Sequence, residues 1–290
     1  MNELSKYQKA FNSFQEIAPI EKISLEVAEI IGEKFNTYNS PEVWKQLHGF
    51  IDLTSLTTLD TKESIWKLVA RVNDFEGERP DVPNVAAICT YPLFVETVKQ
   101  ALTAEEVKIA SVAAGFPASQ TFTEIKIAET AMAVMEGADE IDVVLNLGLF
   151  MEGNFDELTE ELQEIKASCR DAKLKVILET GALQTTEQIQ QAAILALYSG
   201  ADFLKTSTGK EYPGASLSAA YVLCHVLKQY EAQTNRRIGL KVAGGIRTVD
   251  DAVRYYTLVK EILGDAWLTK DYFRIGASSL QQALLTAIGE

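Results

Sequence analysis

Lys205 and Lys241 stand where a charge is costly. Lys205 follows the apolar pair Phe203–Leu204 in DFLKTSTGK, and Lys241 lies inside GLKVAGG. A buried ammonium is unfavourable without a partner. Asp142 interrupts the apolar run EIDVVLN in the same way. Alternate residues of an extended chain share a face. Lys205 therefore goes with Phe203 and Ser207, Lys241 with Gly239 and Ala243, and Asp142 with Glu140, Val144 and Asn146. If these faces point to one centre, two amines and a carboxylate converge there. Each cation makes the other harder to protonate, and burial acts in the same direction. One lysine is then a free amine near pH 7, and a free amine attacks carbonyls. A single strand-end lysine usually reaches solvent or pairs with a helix carboxylate. Two lysines and an aspartate at matching positions point instead to catalysis.

A second constellation is rich in glycine. TSTGK follows Lys205, AGGIR follows Val242, and the run YFRIGASS ends on Ser278 and Ser279. Glycines allow close backbone approach to an anion, and a helix start adds N–H donors. Any one of these turns alone reads as an ordinary tight connection. All three together point to a phosphate group on the substrate. Asp52 and Thr54, Cys89 and Thr208 are weaker candidates for substrate contact. Lys175 and Glu179 also interrupt an apolar run, and Glu179 reads either as support for the site or as a plain strand-end carboxylate. Trp44, Trp66 and Trp267 read as packing.

These residues need a frame. Eight short runs rich in Val and Ile cover 49–56, 84–90, 107–116, 140–146, 174–180, 202–207, 239–245 and 272–277. They are nearly continuous in hydrophobicity, as parallel strands buried on both faces are. Amphipathic helical patterns lie between them, such as FDELTEELQEIKASC and VDDAVRYYTLVKEIL. Eight such units predict a (β/α)8 TIM barrel over 49–290, whose chemistry sits at the C-terminal strand ends. A doubly wound sheet is the alternative, but no Gly-rich dinucleotide turn follows the first strand. Residues 1–48 read as an N-terminal helical extension packed on the barrel. Ile20, Ile23, Val27, Ile30 and Ile31 recur there at helical spacing, and Ser40–Pro41 marks a helix start.

Composition narrows the function. Of 290 residues 47% are hydrophobic, enough for a large core, and the formal net charge is −14. The acidic balance argues against nucleic acid as a partner, because phosphate backbones need basic surface. Only His48 and His225 are present, so a histidine-rich metal site is excluded and no cofactor is expected. Cys89, Cys169 and Cys224 match neither a disulfide framework nor a zinc pattern, which fits a reducing cytoplasm. No signal peptide or membrane span is expected.

IDLTSL, GFP with KIAET downstream, GADEIDVVLN, VILETG, DFLKTSTGK, KVAGGIRT and RIGASS occur in this order over most of 49–280. In these stretches the chain resembles the deoxyribose-phosphate aldolases, class I Schiff-base enzymes on a (β/α)8 barrel. FLKTSTG with KVAGGIRT is highly specific, whereas the shorter pieces are weak singly. The resemblance implies reversible cleavage of 2-deoxy-D-ribose 5-phosphate to acetaldehyde and D-glyceraldehyde 3-phosphate, in deoxyribose breakdown. It implies Lys205 as the Schiff-base lysine, Lys241 as the lysine that tunes it by repulsion, and Asp142 as the proton donor and acceptor. It implies a phosphate site at Gly209, Gly244, Gly245, Ser278 and Ser279, and a homo-oligomer, dimeric or tetrameric.

The extension before Gly49 is longer than in short members of that family, and LNLG stands where some members carry bulkier residues. The chain ends at ALLTAIGE, without the tyrosine-ended tail that some members bring to the active site. Two rival readings are a barrel aldolase for a different phosphorylated sugar, and a binder of sugar phosphates without turnover.

Overall fold

The computed structural model describes residues 4–289. Three helices come first: α1 (Lys6–Asn12), α2 (Ile20–Tyr38) and α3 (Pro41–His48). Alternation begins with β1 (Ile51–Thr54), α4 (Lys62–Glu78), β2 (Ala87–Thr90), α5 (Val95–Ala101), β3 (Lys108–Ala113), α6 (Thr123–Glu136) and β4 (Glu140–Val144). It continues with α7 (Leu147–Glu152), α8 (Phe155–Ser168), β5 (Lys173–Ile177), α9 (Thr186–Tyr198) and β6 (Phe203–Lys205). It ends with α10 (Leu217–Thr234), β7 (Gly239–Ala243), α11 (Val249–Leu263), β8 (Phe273–Ala277) and α12 (Leu280–Ile288). The strands pair in parallel in chain order, and β1 closes on β8. This is the (β/α)8 barrel that the alternation predicts.

Each strand falls inside or within a residue of its apolar run, because burial on both sides removes the polar alternation of an open sheet. Outward residues such as Ile141, Val176, Leu204 and Val242 join the main core beneath the helices. Several helices start where the chain supplies a cap. The Thr61 and Thr248 side chains accept from the N–H groups of Ser64 and Asp251, whose own side chains accept from the capping residue.

The inside of the barrel is divided. Ala87, Cys89, Ala110 and Val112 form a small apolar cluster on the β2–β3 side, beside Leu56, Tyr91 and Phe116. The rest of the interior carries charge. Phe203 also points inward, and Gly239 makes room for it: an added Cβ there would lie 2.2 Å from the ring.

The N-terminal helices cover the outer ring. Ile23, Val27 and Ile31 are buried, while Ile20 is 43% exposed. Tyr221 on α10 donates to Glu26, and Gln190 on α9 donates to the Gln15 carbonyl. Tyr7 on α1 donates to Asp156 on α8. Pro41 occupies the first turn of α3 as expected, but the Ser40 hydroxyl makes no capping bond. Trp66 departs from the packing role read for it, being 51% exposed on α4. Among the described residues no helix is long and apolar enough to cross a membrane.

Candidate active site

The inward faces of β4, β6 and β7 do converge. Lys205 Nζ and Lys241 Nζ each donate to Asp142 Oδ2 over 2.8 Å. Register explains the meeting: Lys205 pairs directly with Lys241 across β6 and β7. Asp142 Oδ1 accepts from Lys175 Nζ at 2.9 Å. The three groups read from the sequence thus form one hydrogen-bonded set, with Lys175 as a fourth member.

The set continues towards the N-terminal strand ends. Lys175 Nζ lies 2.6 Å from Glu140 Oε2, and Lys241 Nζ lies 2.5 Å from Asp52 Oδ2. Arg274 donates from Nη1 to Asp52 Oδ1 at 2.6 Å and from Nη2 to Glu140 Oε1 at 2.8 Å. All seven groups are buried, none more than 3% exposed. Unpaired charges so deep would be strongly destabilising, and this pairing is what lets them stay.

The two lysines differ in their partners. Burial pulls Lys205 below the ordinary lysine range; Asp142 opposes this and Lys241 adds to it. Lys241 suffers the same burial, but Asp142 and Asp52 outweigh it and hold the ammonium above the ordinary range. Of the two, Lys205 is therefore the amine shifted towards losing its proton, and loss of hydration is the main reason. Repulsion by Lys241 is the smaller of the two lowering causes. Asp142 is held well below the usual carboxylate range: burial would raise it, but Lys175, Lys205 and Lys241 prevail.

Above Lys205 lies a cavity of about 440 Å³, lined by Thr54, Thr208, Gly209, Gly244, Gly245, Ser278 and Ser279 among others. Gly209, Gly244 and Gly245 have φ of +72°, +89° and +85°, a region where a side chain is strained. Gly214 packs so closely that a Cβ on it would lie 2.2 Å from the Gly244 carbonyl oxygen. The cavity wall is thus bare backbone in several places. Ser279 caps α12 by position without a side-chain capping bond. Lys210 and Arg247 also line the cavity. An amine at the floor and an anion cradle at the rim suit a phosphorylated carbonyl compound. A larger cavity, about 770 Å³, lies between the α1–α2 segment and the start of α9 and contains no lysine, histidine or cysteine.

Other expected contacts are placed differently. Asp52 is fully buried between Lys241 and Arg274, below the cavity. Cys89 is fully buried in the apolar cluster, and burial raises its thiol pKa. Neither lines the cavity, whereas Thr54 and Thr208 do. Glu140 shares the inward face of Asp142, as alternation places it, but the sequence reading assigned it no role, missed Arg274 as an interior group and gave Lys175 no partner. Period-two alternation from Gly276 back to Arg274 was the available signal. It also left Lys210 and Arg247 unassigned, although each follows a glycine-rich turn. Among the described residues no cluster of His, Cys, Asp and Glu could hold a metal ion.

Comparison with known proteins gives a consistent result. The model of the DeoC/LacD family aldolases matches residues 50–285. The human deoxyribose-phosphate aldolase is 40% identical over 241 residues, covering 80% of this chain and 76% of that protein. The bovine deoxyribose-phosphate aldolase is 38% identical over 240 residues, with 79% and 76% covered. The tetrameric deoxyribose phosphate aldolase of Aeropyrum pernix superposes with a TM-score of 0.67 at 26% identity, over 90% of this chain and 97% of that one.

Proposed function

The chain belongs to the DeoC/LacD family of aldolases, and we propose that it reversibly cleaves 2-deoxy-D-ribose 5-phosphate to acetaldehyde and D-glyceraldehyde 3-phosphate through a Schiff base on Lys205. The observation that carries this reading is the contrast between the two lysines on one Asp142 oxygen: Lys205 has that carboxylate alone and a lowered pKa, whereas Lys241 also reaches Asp52 and has a raised one. The human and bovine relatives, deoxyribose-phosphate aldolases by name, support the substrate.

The neutral Lys205 amine attacks C1 of the open-chain sugar. Loss of water gives an iminium, which is an electron sink. The 3-hydroxyl gives up its proton and the C2–C3 bond breaks. Its electron pair moves into an enamine, and glyceraldehyde 3-phosphate leaves. Protonation at C2 and hydrolysis then release acetaldehyde and restore the amine. Asp142, acting through a water, passes these protons. Its low pKa makes it a conduit, and Lys241 is the proton store beside it. Gly209, Gly244, Gly245, Ser278 and Ser279 hold the phosphate, with Thr208 in the same turn.

Acetaldehyde with borohydride tests the nucleophile. The expected result is an ethyl group on Lys205, found by peptide mass spectrometry. No adduct, or one on Lys241, overturns the assignment. A coupled assay for glyceraldehyde 3-phosphate tests turnover, and no turnover favours the binder reading. The tetrameric Aeropyrum pernix relative supports a homo-oligomer, which light scattering tests. The three free, buried cysteines support a reducing compartment, and kinship with proteins named deoxyribose-phosphate aldolase supports a role in deoxyribose breakdown.

A further inference from the structure

We propose that Arg274 and Glu140 are positioning residues that set the charge count of the barrel interior, so that Lys205 is the group left without a proton. The inference rests on the Schiff-base reading of Lys205.

The interior set is nearly closed. Asp52, Glu140 and Asp142 supply three negative charges, and Lys175, Lys241 and Arg274 supply three positive ones. Lys205 would be a fourth cation with no carboxylate of its own, because its one partner, Asp142, also serves Lys175 and Lys241. A buried excess charge is costly, and the group that can relieve it by losing a proton does so. Arginine cannot lose its proton in a protein. Lys175 is bound to both Glu140 and Asp142, and Lys241 to both Asp52 and Asp142. Lys205 has the fewest anionic contacts and is left to give way.

Every strand around Lys205 fits this count. β1 contributes Asp52, β4 contributes Glu140 and Asp142, β5 Lys175, β7 Lys241 and β8 Arg274. β2 contributes the Cys89 thiol, held neutral by burial, and β3 faces the interior with Ala110 and Val112. Glu179, beyond the end of β5, is spent on Thr208. Lys210 donates to the Leu56 carbonyl at the rim. Lys173 pairs with Asp271 and Asp202 with Lys166, both partly exposed.

Arg274 and Glu140 lie one inward position nearer the N-terminal strand ends than Gly276 and Asp142. They need not touch the substrate. Arg274 donates to Asp52 Oδ1 and to both oxygens of Glu140, sharing Oε2 with Lys175, while Asp52 Oδ2 faces Lys241. Without the guanidinium, the carboxylates would hold one positive charge too few, and Lys205 would take up the missing proton.

The test is the pH profile of acetaldehyde trapping on Lys205 by cyanoborohydride, read by peptide mass spectrometry. It needs no sugar phosphate. In Arg274→Met the profile shifts to higher pH by about one unit or more, the scale of one removed charge at close range. Trapping at neutral pH then falls roughly tenfold. Glu140→Gln removes an anion and moves the profile to lower pH. In the double variant the count balances again, and the profile returns towards that of the wild type. A merely structural role for Arg274 predicts no such rescue. A folded Arg274→Met variant with an unmoved profile overturns the proposal, as does a double variant that stays with Arg274→Met. If Arg274→Met does not fold, Glu140→Gln decides: a profile unmoved or shifted to higher pH overturns the proposal. Absence of a wild-type adduct on Lys205 overturns the Schiff-base reading, and this one with it.

Discussion

Lys205 and Lys241 approach the same oxygen of Asp142 at the same distance, 2.8 Å, yet only Lys241 also reaches Asp52. That one extra carboxylate separates the two amines. Their pKa values shift in opposite directions, Lys205 below and Lys241 above the ordinary lysine range.

The difference predicts opposite costs of removal. Lys205→Met takes away the cation that burial disfavours and that has one carboxylate partner, so it is expected to abolish turnover and to change stability by about 1 kcal/mol or less. Lys241→Met leaves Asp52 and Asp142 short of a cation and costs about 3–5 kcal/mol. Urea unfolding of the two variants measures this. Equal losses would contradict the assignment of charge.

Asp142→Asn removes the proton conduit but not the nucleophile. Turnover of deoxyribose 5-phosphate falls by about 10²–10⁴-fold. Acetaldehyde still forms a reducible adduct on Lys205. Loss of both together would mean that Asp142 is needed to shape the site, not to move protons.

Glu179 holds the turn after β6. It adopts φ +50° and is almost fully buried. It accepts from the Thr208 N–H at 3.1 Å and from the Thr208 hydroxyl at 2.5 Å, and that hydroxyl accepts from the Lys210 N–H. Glu179→Gln replaces one acceptor oxygen with a donor and loosens the turn. KM for the phosphorylated sugar rises about tenfold, the scale of one lost charged hydrogen bond. Unphosphorylated 2-deoxyribose serves as the control, and an equal rise there would refute a role at the phosphate.

His48 makes stability depend on pH. Burial lowers its pKa from 6.5 to about 4. Its Nδ1 lies 2.6 Å from the Pro83 carbonyl oxygen, and Gln281 donates to Nε2, so the ring is neutral with Nδ1 protonated. The unfolded chain takes up a proton below pH 6.5 while the folded chain does not. The stability from neutral His48 is therefore full above pH 6.5 and is lost as pH falls towards 4, roughly 3 kcal/mol in all. The gap in unfolding free energy between wild type and His48→Gln shrinks over that range. A constant gap would mean that His48 is protonated in the fold.

The sequence by itself determined the frame and the reactive centre. Strands buried on both faces must be apolar, so each polar residue within them is conspicuous. Alternation then places Lys205, Lys241 and Asp142 on inward faces. Glycines with positive φ mark the bare-backbone turns for the same local reason. These signals are carried by neighbours along the chain, and they were legible without a structure.

Tertiary structure decided what depends on distance between strands. Asp52 reads from the sequence as a strand-end contact, but barrel closure places it between Lys241 and Arg274, below the cavity. Glu140 and Arg274 lie 134 positions apart in sequence and join only because β4 and β8 face each other across the interior. Which lysine holds its proton was likewise undecided by spacing. It depends on how many carboxylates each amine reaches and how far water is excluded, and both are set only once the barrel closes.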